Sequence, residues 1–112
     1  MFKSTHNKGF HMTFKNGFTI SVQFGVGSYC SRRSSYSELF PEMRSDQVES
    51  PDAEIAIWDA DGEWFSFGYD NVKGYCSADE VATWIIFCTA ATSMKDLRER
   101  ALNSGLLDQP AE

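Results

Sequence analysis

The sequence predicts an α+β fold: two antiparallel β-hairpins forming one sheet, packed by a C-terminal helix. Three segments carry this reading. Two of them alternate apolar and polar residues around an Asn-Gly or Asp-Gly turn, and the third is apolar at helical spacing behind a Ser cap. At 112 residues, 42% hydrophobic and 14% aromatic, the chain suits a single domain spanning 1–112 with a modest core.

The first hairpin is "KGFHMTFKNGFTISVQFG". Phe10, Met12 and Phe14 alternate before the turn, and Phe18, Ile20, Val22 and Phe24 alternate after it. A two-residue Asn16-Gly17 turn would set Phe14 against Thr19. A three-residue loop, Lys15-Asn16-Gly17, sets Phe14 against Phe18, Met12 against Ile20 and Phe10 against Val22, with all apolar residues on one face. That loop places Gly17 at the left-handed position of a bulged turn.

The second hairpin, "AEIAIWDADGEWFSFGY", repeats the pattern. A loop of Ala60-Asp61-Gly62 pairs Ile57 with Phe65, Ile55 with Phe67 and Ala53 with Tyr69. The other face then pairs Trp58 with Trp64, a cross-strand aromatic contact worth about 0.5–1.5 kcal/mol. It reads either as a stacking platform or as packing against the loop between the hairpins. "DADGE" is turn chemistry, since the full run of calcium ligands is missing.

The helix is "CSADEVATWIIFCTAATSMKDLRERALNSG", with Ser77 as N-cap and Glu80 completing a capping box. Asp79 and Glu80 suit the positive helix start. Val81, Trp84, Ile85 and Cys88 form one stripe, while Ile86, Phe87 and Ala90 leave almost no polar side. Such a helix is buried on more than one face, and the expectation is a homodimer or higher homo-oligomer through Trp84, Ile85, Ile86 and Phe87. Ser93 either caps a second helix or marks a kink in the first; Gly105 is the expected C-cap. Residues 1–7 and 106–112 are expected to fray, and 25–52 to form a long loop.

Several classes of function are set aside. No apolar run reaches the roughly 20 residues that span a bilayer. Cys30, Cys76 and Cys88 are odd in number and read as free thiols of a reducing compartment. His6 and His11 have no partner at zinc-ligand spacing. No catalytic set, metal site or cofactor motif is found, so the expectation is a non-enzymatic protein.

Charge is divided along the chain. Residues 1–37 carry five basic residues and no acid; 38–112 carry five basic residues and all 16 acids, a balance of −11. The net charge of −6 disfavours direct nucleic-acid binding. Within "GVGSYCSRRSSYS", Gly25, Gly27 and Ser28 are expected to turn the backbone into an anion nest. Arg32 and Arg33 supply forked donors for phosphate, and Tyr29 and Tyr36 can stack on a base or sugar. These seven residues form the expected site of a nucleotide-type ligand.

"NKGFHMTFKNGFTISVQFG", the "YC" that follows and "AEIAIWDADGEW" resemble a family of small orphan accessory proteins encoded by tailed bacteriophages. The resemblance covers roughly residues 7–30 and 53–75. It implies a small accessory protein of the infected bacterial cytoplasm, of a kind that is often non-catalytic and in many cases acts against host defence. The leading expectation is a binder of a phosphate-bearing ligand such as a nucleotide signal. The alternatives are an acidic interaction module that inhibits a host nucleic-acid-binding enzyme, in the manner of an anti-CRISPR protein, and a structural phage protein.

Overall fold

A computed structural model of the chain describes residues 1–6, 8–25, 28, 30–31 and 49–107. Five strands form one antiparallel sheet in sequential order: β1 (Phe2–Ser4), β2 (Gly9–Thr13), β3 (Thr19–Gln23), β4 (Asp52–Trp58) and β5 (Lys73–Ser77). Two helices follow, α1 (Ala78–Ala90) and α2 (Met94–Ser104). The class is α+β as expected; among the described residues the sheet has five strands where two hairpins supply four, and a second helix follows the first.

The first hairpin has the expected register. Phe10 lies opposite Val22 and Met12 opposite Ile20. Phe14 N–H donates to Phe18 O at 2.9 Å, Gly17 N–H donates to Phe14 O at 2.9 Å, and Gly17 has φ +94°. The second turn is built alike: Asp59 N–H donates to Glu63 O, Gly62 N–H donates to Asp59 O, and Gly62 has φ +82°. The two turns also touch. A Cβ on Gly17 would lie 2.7 Å from Ala60 Cβ, so Gly is required there by contact as well as by conformation.

Beyond its turn the second hairpin departs from expectation. Trp58 meets Trp64 and Phe65 N–H donates to Ile57 O, but the pairings of Ile55 with Phe67 and Ala53 with Tyr69 do not form. β5 takes that edge instead, setting Ala53 against Cys76 and Ile55 against Lys73. The reason is core volume. Phe65 and Phe67 leave the sheet and meet edge-on at 5.1 Å, and each meets Trp84 of α1, at 5.7 and 5.2 Å. Arg98 of α2 caps the plug, its guanidinium over the Phe65 ring and Nη2 donating to Ser66 O. The 3-for-2 step opposite Ala53–Ile55 makes a bulge in β5, where Tyr75 takes a left-handed φ of 56°.

The N-terminal end is likewise an addition: Phe2–Ser4 pairs with β2 rather than fraying. At the other end Leu107 is buried, and residues 108–112 lie outside the described ones.

Ser77 caps α1 through its hydroxyl, which accepts from Glu80 N–H at 3.2 Å. Glu80's carboxylate turns inward, accepting from Trp84 Nε1 and pairing with Lys73. Ser93 accepts from Asp96 N–H and opens a separate second helix, which Gly105 closes at φ +83°. The inner sheet face buries Ile20, Ile55 and Ile57 completely beneath Trp84, Cys88 and Leu97. On the outer face, His11 of β2 and Trp58 of β4 meet edge-on at 5.1 Å across β3. Their rings arch over the small residues of that strand, which explains why Thr19 and Ser21 are buried on a face that neither α1 nor α2 covers.

α1 turns Val81, Trp84 and Cys88 inward and leaves Ile85 and Phe87 half-buried. Ile86, 61% exposed, faces solvent. Since α2 packs alongside α1, much of the apolar arc that suggested a subunit interface is satisfied within the chain.

Candidate functional site

The strand β3 ends at Gln23, and Phe24 N–H donates to Lys8 O. Gly25 follows against Lys8, where a Cβ would meet Lys8 side-chain carbons at 2.8 and 2.9 Å. Close approach is therefore what Gly25 serves; the left-handed glycines among the described residues are Gly17, Gly62, Gly68 and Gly105. Ser28 N–H donates to Gly25 O and Cys30 N–H to Ser28 O, so the Ser28 amide is spent inside the chain rather than offered to an anion. Ser28 and Cys30 are both buried. Gly27, Tyr29, Arg32, Arg33 and Tyr36 lie outside the described residues.

The arc from Gly25 ends at Ser31, which Asp52 holds with both oxygens. Ser31 N–H donates to Oδ1 and Ser31 Oγ–H donates to Oδ2, each at 2.6 Å. Asp52 opens β4 and also stands at the rim of a cleft of about 430 Å³ between the sheet and the N-terminal half of α1. Phe10, Val22 and Phe24 form its sheet wall; Ala78, Val81, Ala82 and Ile85 form its helix wall; Glu49, Ser50 and Pro51 join Asp52 at the rim. An open, mainly apolar cleft with a few polar groups at one side is the usual shape of a small-ligand site, and this volume falls within the common range of about 300–1,000 Å³. Sequence reasoning did not find it, because its walls come from four strands and a helix that are distant in the chain. The nearest sequence signal was the all-round apolar character of α1.

A second, shallower groove of about 240 Å³ runs beside β5, lined by Tyr69, Asp70, Val72, Gly74 and Tyr75. Tyr69 and Tyr75 are both exposed, and Tyr75 is held in its left-handed conformation by the bulge.

Cys76 and Cys88 do not supply a nucleophile. Cys30, Cys76 and Cys88 are free and buried. Burial pushes Cys76 up to about 12, with Glu80 adding to the shift, and burial alone does the same to Cys88. Both therefore stay protonated at neutral pH. Because the folded state holds these protons more tightly than an ordinary thiol near 9.0, their contribution is intact below that value. It is lost progressively as pH rises toward about 12. The melting temperature should fall from pH 9.0 upward, and a Cys88→Ala variant should show a weaker fall in a pH series followed by circular dichroism. His11 moves in the opposite sense: burial and then Lys3 lower its affinity for a proton, so stability it supports above the ordinary value of 6.5 declines on acidification.

Among the described residues no group of His, Cys, Asp and Glu is placed to hold a metal ion, and no helix is long and apolar enough to cross a membrane. No family model, no curated protein and no solved structure matches the chain.

Proposed function

We propose that this chain is a non-enzymatic binding protein for a small phosphate-bearing ligand such as a nucleotide. The observation that carries the reading is the linkage between the cleft and the arginine-bearing segment. Ser31, the residue before Arg32 and Arg33, is fastened by two 2.6 Å hydrogen bonds to Asp52 at the cleft's rim. The apolar or aromatic part of the ligand fits a cleft walled by Phe10, Phe24 and Ile85. The phosphate is assigned to Arg32 and Arg33, with stacking from Tyr29 and Tyr36. The spent amide of Ser28 moves the weight of phosphate recognition from the backbone to the two guanidinium groups. In this role the protein is an accessory factor of a phage-infected bacterial cytoplasm that withdraws a signal from host defence. A homodimer through α1 rests on Ile86 and its half-buried neighbours.

The test is calorimetric titration of a panel of cyclic and linear nucleotides. Replacing both Arg32 and Arg33 with Ala should weaken binding at least about a hundredfold, taking about 1.5–3 kcal/mol per charge-assisted contact and about 1.4 kcal/mol per factor of ten. Ala82→Trp, at an exposed position on the helix wall, should block the cleft and leave the fold intact. Absence of binding heat from every nucleotide overturns the reading. Native mass spectrometry of the same samples counts subunits.

One observation favours the acidic interaction module as a second reading. Tyr69, Asp70 and Tyr75 form an exposed aromatic and acidic groove at the sheet edge, suited to a cationic side chain of a protein partner. Host-enzyme inhibition that survives the double Arg change and is lost on Asp70→Lys would select it.

A further inference from the structure

Asn16 does more than turn the first hairpin. Its Nδ2 donates to Cys88 O at 2.6 Å and to Ala91 O at 2.9 Å, the carbonyls left over at the C-terminus of α1. Its Oδ1 accepts from Phe18 N–H. Gly17 follows, with its N–H bound to Phe14 O and its Cα packed on Ala60. An Asn-Gly pair has an intrinsic reaction. The Gly nitrogen gives up its proton and bonds to the Asn Cγ, the Cγ–Nδ2 bond breaks, and Nδ2 leaves as ammonia. Water then opens the cyclic imide at either carbonyl to give aspartate or isoaspartate. Gly favours the step because it has no Cβ to obstruct the approach.

In the folded chain both reacting groups are engaged, the nucleophile with Phe14 and the leaving group with α1. The product is incompatible with this arrangement. A carboxylate has no proton to donate and stands against carbonyl oxygens at the negative end of a helix. We propose that Asn16 is a spontaneous modification site guarded by the fold: it deamidates when the first turn lifts off α1, and the acid so formed cannot cap the helix again, which makes the opening permanent.

The experiment follows deamidation of the full chain by peptide mass spectrometry in mildly alkaline buffer, folded and in urea, with Asn71 and Asn103 as internal comparisons. Modification in urea should concentrate at Asn16. The folded protein should react at least about tenfold more slowly, since an opening cost of about 1.4 kcal/mol already gives that factor. Protein recovered from urea after modification should refold with a lowered melting temperature, and Asn16→Gln, whose ring closure is slower, should recover its own starting midpoint after the same exposure. Equal rates in the folded and unfolded chain overturn the proposal. So does modified protein that refolds to the unmodified midpoint.

Discussion

Trp84→Ala is expected to destabilise the protein by about 3–5 kcal/mol, the usual cost of removing a large aromatic side chain from a closed core. Trp84 is fully buried. Its indole receives the edges or faces of Phe65, Phe67 and Phe87, with ring centroids 5.7, 5.2 and 6.3 Å away. Its Nε1 also donates to Glu80, which in turn pairs with Lys73 of β5, so truncation leaves an apolar cavity and removes a donor together. A domain of this size commonly has about 5–15 kcal/mol in total, so the loss is a large fraction. Urea unfolding should show a much lower midpoint, with Trp84→Phe intermediate because it refills part of the volume. A midpoint shift equivalent to less than about 1 kcal/mol would mean that the aromatic plug does not hold the helix to the sheet.

Gly9→Ala is expected to be destabilising by about 1–3 kcal/mol or more, although Ala in a strand interior ordinarily gains about 0.5–1 kcal/mol over Gly. The sign follows from what the new methyl would meet. A Cβ at Gly9 would overlap Val22 O and fall 2.9 Å from Val22 C and Gln23 Cα. All three are backbone atoms of the neighbouring strand, which no rotamer change can move aside. Relief requires β2 and β3 to part, and the Phe24 N–H bond to Lys8 O lies next to that point. Gly62→Ala provides the contrast, since nothing stands within 4 Å of its added Cβ and the cost there is conformational alone. A Gly9→Ala protein as stable as wild type in a thermal melt would rule out the close strand approach.

The features legible in the sequence were those decided by neighbours along the chain. Both bulged turns, the register of the first hairpin, the Ser77 cap and the Gly105 terminus each follow from residues within a few positions of one another. The misses arise where distant parts compete. Phe65-Ser66-Phe67 alternates as a strand should, yet two Phe rings gain more beside Trp84 than in the sheet. The segment Lys73–Ser77 hides its strand character because its bulge breaks the alternation. Asn16 announces a turn, but nothing local reveals that its amide reaches a carbonyl 72 positions away. The same holds for the candidate site. The arginine pair can be seen in the chain, whereas the cleft exists only once β2, β3, β4, β5 and α1 have come together.

The sequential strand order has a consequence for synthesis. Each strand pairs with the one made just before it, so the sheet can extend in step with the ribosome. Its lid arrives last: Val81, Trp84, Cys88, Leu97 and Ala101 all belong to the final third of the chain. Until they emerge, Ile20, Val22, Ile55 and Ile57 present an uncovered greasy surface with free strand edges, the condition under which nascent chains associate with one another. Truncations that stop before Ser77 should accumulate as insoluble material or chaperone clients far more than chains ending after Leu107, which makes α1 and α2 the elements that end the sheet's exposure.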